Sequence, residues 1–114
     1  MINTEVLDAL QDTTDSDFVA ELIDTYLDDC PALLDSLRQA LADGDAEAFR
    51  RAAHSLKSNS ATLGAEALAD TARALEMKGK AHELGKIGAE VEAAAVEFDG
   101  VREVLEAYKH AHKR

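Results

Sequence analysis

Residues 84–108, LGKIGAEVEAAAVEFDGVREVLEAY, place apolar side chains at Leu84, Ile87, Val91, Ala94, Phe98, Val101, Leu105 and Tyr108. The steps alternate three and four without a slip, which is the seam spacing of a helix packed in a bundle. Gly85, Gly88 and Gly100 each weaken such a helix by about 1 kcal/mol relative to alanine, so packing must compensate.

The same periodicity extends back through the chain. From Asp15 or Ser16 as N-cap, apolar residues from Phe18 through Val19, Leu22, Ile23, Tyr26 and Leu27 to Leu41 recur at three and four. This is one long amphipathic helix, in which Pro31 predicts a kink or break because an interior proline removes a hydrogen bond and costs about 3 kcal/mol. Gly44 ends it, and Asp45 caps a helix expected over Ala46–Leu63, with Phe49, Ala52, Ala53, Leu56, Ser60 and Leu63 on one face and Gly64 as the stop. A further helix over Ala65–Lys78 buries Leu68, Ala72 and Leu75 and ends at Gly79. Connections this short force neighbouring helices antiparallel. The expected fold is all-α: an up-down-up-down four-helix bundle, with a short additional helix over residues 3–10 headed by Asn3 or Thr4, in one domain spanning residues 1–114.

Composition agrees. A chain of 114 residues has room for one core. With three Phe, two Tyr and no Trp, that core must be aliphatic and alanine-rich. One proline and six glycines are too few for the frequent turns of an all-β domain. There is no basic leader with an apolar core and no run long enough to span a membrane, and Cys30 is alone, so a cytoplasmic protein with a buried, inert thiol is expected. The formal charge of -11 speaks against nucleic acid and anionic lipid as partners. That charge is uneven: residues 1–48 hold thirteen acids and one base, Arg38, while residues 48–65 hold Arg50, Arg51 and Lys57 and no acid.

This basic island surrounds a histidine. With Phe49 at the centre of the buried face, Leu56 and Ser60 fall within about 20° of it and His54 about 140° away, so His54 is expected in solvent. Arg50 and Arg51 stand one turn before it and Lys57 and Ser58 one turn after, at spacings whose side chains meet. A neutral imidazole is nucleophilic, phosphorylation would give it nearly two negative charges, and nearby cations stabilise them. Phosphoryl transfer asks for little beyond positioning and charge stabilisation, and the small residues Ser58 and Ala61 leave room for a partner to approach.

The stretch from Ala53 to Ala65, AHSLKSNSATLGA, resembles the signature of histidine phosphotransfer domains: Ala-His-x-Leu-Lys-Gly, small residues, then Leu-Gly-Ala. The resemblance extends more weakly to Gly44-Asp45 and Leu75-Glu76, and so over most of residues 15–110. It implies a four-helix bundle in which His54 is the phosphoacceptor and Lys57 supports the phosphoryl group. Arg50, Arg51, Ser58 and Ala61 are then the partner-binding residues. It also implies as partners the receiver domains of response regulators and a hybrid sensor kinase, with the receiver supplying any metal ion. One departure is Ser58, where the family often has glycine; the hydroxyl is small but can slow transfer or narrow partner choice.

No phosphate-binding Gly-rich loop, nucleophile elbow or kinase Asp-Phe-Gly occurs, so the chain is expected to carry a phosphoryl group made elsewhere, as a monomer, without cofactor or metal of its own. His110 and His112 are two apart on a helix and point to different sides, which is poor metal-site geometry, and His82 reads as a solvated surface residue near a turn. Two other readings compete: a helical adaptor without chemistry, disfavoured by the presence of both His54 and Lys57, and the dimerisation region of a sensor kinase, whose histidine is usually followed by an acid where this chain has Ser55. The start at Met1 favours a free-standing protein over a domain of a hybrid kinase.

Overall fold

A computed structural model describes residues 2–13 and 16–111, in which five helices follow one another: α1 (Thr4–Thr13), α2 (Ser16–Asp43), α3 (Ala46–Thr62), α4 (Glu66–Lys80) and α5 (Gly88–Ala111). Helices α2 to α5 close a ring, α2 against α3, α3 against α4, α4 against α5 and α5 against α2. Tyr26 meets Ser60 across α2 and α3, His54 meets Glu76 across α3 and α4, and on the α2–α5 side Arg38 binds Glu92 while Lys109 binds Asp24. The two α2–α5 contacts come in reversed order, so that pair runs antiparallel; the short connections require the same of successive helices, and the fold is the expected four-helix bundle with α1 as an extra helix.

On α3, α4 and α5 the expected faces are the buried ones, whereas Phe18, the first of the apolar series on α2, is 44% exposed. Phe49, Ala52, Ala53, Leu56, Ser60 and Leu63 are all buried, and so is the seam of α5 from Ile87 to Tyr108. Phe98 packs edge-on against Tyr26 with centroids 5.9 Å apart, filling the centre where aliphatic side chains alone would leave gaps. Ser60 is fully buried, which is tolerated because its hydroxyl is 2.8 Å from that of Tyr26, whose proton is held tightly by burial. Cys30 is buried too, its thiol pushed up to about 11 by desolvation, so it serves as core filler.

Three expectations are corrected. Of the kink or break expected at Pro31, the break does not occur: α2 runs unbroken for 28 residues. The ring removes one hydrogen bond, and burial of Tyr26, Cys30, Leu34 and Leu37 on both sides of it holds the two halves in one helix. Gly79 does not end α4; it lies inside the helix, and a Cβ placed there would meet the backbone N, Cα and Cβ of Arg50 at 3.1 Å. This glycine lets α4 approach α3 closely. The seam of α5 begins before its helix: Leu84 and Ile87 belong to the α4–α5 connection, in which His82 and Lys86 adopt positive φ, and Ile87 is buried from there.

The remaining caps follow the sequence. Asp45 accepts from the Ala48 amide at 3.0 Å and begins α3, while Gly64 at φ 79° follows its end. The Gly64 carbonyl accepts from the Asn3 amide at 2.7 Å, and the Asn3 side chain accepts from Glu5, so the start of α1 is tied to the α3–α4 turn. The other end of α1 is tied to α5, where the Tyr108 hydroxyl donates to Asp8 and accepts from Gln11. Asp15, one expected cap of α2, lies outside the described residues; Ser16, the other, is already the first helical residue.

Candidate functional site

His54 stands midway along α3 with 54% of its side chain exposed, as its position about 140° from the buried centre requires. Its Nδ1 is 2.7 Å from Oε2 of Glu76, which reaches across from α4. The other carboxylate oxygen of Glu76 accepts from Lys57 Nζ, also at 2.7 Å. Glu76 is thus the hub of the site. It is only 8% exposed, a burial permitted because both oxygens are paired. The Lys57 ammonium bonded to it holds its carboxyl below the usual carboxylate range, with the His54 bond acting in the same direction against the cost of burial.

An ionised carboxylate can only accept hydrogen bonds. The Nδ1 of His54 must therefore carry the proton in this contact, which leaves the lone pair of the neutral ring on Nε2. The buried acid fixes ring orientation and tautomer together, and leaves Nε2 without a hydrogen bond among the described residues.

The expected basic island is divided in space. Arg50 is bound by Glu47 in the first turn of the same helix, at 3.1 and 2.5 Å, and Lys57 is committed to Glu76. Arg51 is exposed and makes no ion pair among the described residues. The acid-free stretch is acid-free along the chain only, because a linear charge count does not see a carboxylate arriving from α4. Ser58 and Ala61 are both exposed. The Ser58 carbonyl accepts from the Thr62 hydroxyl at 2.9 Å. Residues His54, Lys57 and Ala61 lie together on the side of α3 toward α4, whereas Arg51 and Ser58 point away from the bundle.

Sequence reasoning did not assign Glu76 a role. The available signal was an acid directly after the buried Leu75, at the edge of an apolar stripe, where a charge needs a partner. Elsewhere, His110 is exposed at the end of α5 and His112 lies outside the described residues. Among the described residues no group of three or more His, Cys, Asp or Glu is placed to hold a metal ion, and no helix is long and apolar enough to cross a membrane.

The family model of the Hpt domain matches residues 21–111. The phosphorelay protein LuxU of Vibrio harveyi is 28% identical over 90 residues, covering 79% of each chain. Among solved structures, the histidine-containing phosphotransfer protein B (HptB) of Pseudomonas aeruginosa PAO1 superposes with a TM-score of 0.92 at 34% identity, over 98% of this chain and 96% of its own. The HPT domain of a sensor hybrid histidine kinase from Shewanella shares the fold, with a TM-score of 0.79 at 18% identity over 99% and 97% of the two chains. The bundle, the exposed histidine on α3 and these matches together place the chain in the Hpt domain family.

Proposed function

We propose that this protein is a phosphorelay intermediate whose His54 takes a phosphoryl group from the aspartate of one receiver domain and gives it to the aspartate of another. The observation that carries the reading is the exposed imidazole whose Nδ1 is held by a buried, ionised Glu76. LuxU is a phosphorelay protein, and the Shewanella domain belongs to a hybrid kinase; such kinases and response-regulator receivers are the partners proposed here.

In the forward step the Nε2 lone pair forms a bond to phosphorus as the acyl phosphate P–O bond breaks, and the aspartate leaves as a carboxylate. The ring becomes an N-phosphoimidazolium, and Glu76 is already placed against the Nδ1–H to stabilise its new positive charge. Lys57, 30% exposed and bonded to the other oxygen of Glu76, has a flexible stem that can turn its ammonium to the incoming phosphoryl oxygens. Return transfer reverses these bonds, so the carrier needs neither nucleotide nor water as reactant.

The test is incubation with receiver domains carrying labelled phosphoryl groups. Wild type takes acid-labile label; His54→Ala takes none while keeping its helical content, with some loss of thermal midpoint because one oxygen of the buried Glu76 loses its partner. Lys57→Ala takes label more slowly. Acid-labile label retained on His54→Ala would overturn the assignment.

A further inference from the structure

The side of α3 that a partner must cover follows from where His54 points. With Phe49 at zero, Lys57, Arg50, Ala61 and His54 fall at about 80°, 100°, 120° and 140°, all on one arc. Asn59, which lines the groove between α3 and α2, falls at about −80°. The histidine therefore leans toward α4, as its bond to Glu76 requires. On α4, Arg73, Met77 and Lys80 follow at steps of four and three and share one outer face, and all three are exposed. Glu76 turns inward from this row. Because Gly79 lies against Arg50, and Glu76 bridges His54 and Lys57, Lys80 stands level with Arg50 and Arg73 one turn on toward Ala61.

Two features of this row are unexplained by the fold. Met77 is 62% exposed between two cations, and neither Arg73 nor Lys80 makes an ion pair among the described residues. Methionine and arginine are side chains enriched in the centres of interfaces. The charge of the whole molecule points the same way. Acids outnumber bases seven to one on α2 and six to two on α5, whereas α3 and α4 together carry six bases and four acids. An acidic partner is repelled by the α2–α5 side and admitted by the α3–α4 side.

We infer that the row Arg73, Met77 and Lys80 on α4 is half of the docking surface, and that its occupant is a receiver domain presenting a carboxylate-lined phosphorylation pocket. Met77 is the apolar anchor and the two cations are the steering charges. This rests on the phosphotransfer reading for the identity of the partner.

The probe is a receiver domain from which the wild-type chain takes label. Met77→Asp raises the dissociation constant about tenfold or more, and joint reversal of Arg73 and Lys80 to Glu slows association by a factor that shrinks as salt rises. Val96→Asp, at an exposed apolar residue on α5, binds as wild type. Without any variant, amide shifts of the wild-type chain on titration with the receiver fall on residues 73–80. Transfer of label with the shifts confined to residues 22–29 of α2, or with Met77→Asp binding as tightly as wild type, overturns the surface and leaves the phosphotransfer reading intact. Shifts on residues 73–80 without label transfer keep the surface and overturn that reading instead.

Discussion

Glu76→Gln separates shape from charge at the centre of the site. The amide keeps the size of the side chain but loses the charge that stabilises a phosphoimidazolium, and a hydrogen bond to a charged group is worth about 1.5–3 kcal/mol. Phosphoryl acceptance should fall by about 10- to 100-fold, with helical content unchanged, in a single-turnover transfer assay. The same variant has a pH signature. The folded-state pKa of Glu76 is depressed, so its contribution to stability is present above the ordinary carboxylate value of about 4.3 and is lost as pH falls through the lower folded value. Urea midpoints of wild type and Glu76→Gln should therefore converge as pH falls through that depressed value, and a constant gap down to about pH 2 would show that the charge is not the stabilising element. At this scale the sequence is half legible. The exposure of His54 follows from its angle on one helix, whereas its bond to Glu76 joins residues 22 apart on different helices, which no periodicity encodes.

Glycines give opposite predictions within the same bundle, because each helix end and each helix contact uses them differently. Gly64 has φ 79°, and a Cβ there would collide with the Asn3 carbonyl, so Gly64→Ala should lose about 1–3 kcal/mol in urea unfolding. Gly100 lies inside α5 with open space around it, and Gly100→Ala should gain about 0.5–1 kcal/mol by helix propensity alone. Equal effects of the two would contradict the assigned roles. Gly64 is readable as a stop because it follows the last apolar position of α3. Gly79 reads the same way along the chain and is not a stop, since what it serves is the backbone of Arg50 on another helix. Pro31 misleads for a related reason: its local cost is real, but the buried side chains on either side of it decide the outcome.

Across the molecule, charge is sorted by side. The bundle is 46 Å long and about 20 Å across, close to the length of about 42 Å that α2 reaches by itself, so each helix presents one long stripe to solvent. The acidic stripes of α2 and α5 lie together, and α3 with α4 forms the least acidic side, with His54 in it. Joint reversal of Arg50 and Arg51 to Glu should slow association with a receiver most at low ionic strength, where the Debye length is longest, and converge with wild type as salt rises. Arg51 should account for most of this effect, because Arg50 is already paired with Glu47. Rates that match wild type at low salt would move the docking surface elsewhere. The net charge is plain in the sequence; its division between two sides depends on which helices pair, and that is settled only by packing.

The most direct measurement is the position of the phosphoryl group on the ring. Nitrogen-15 and phosphorus-31 spectra of the chain, labelled by a phosphorylated receiver domain, distinguish the two ring nitrogens of His54. The contact with Glu76 requires phosphorus on Nε2 with Nδ1 still protonated. Phosphorus on Nδ1, or on His82 or His110 with His54 unmodified, would contradict the account.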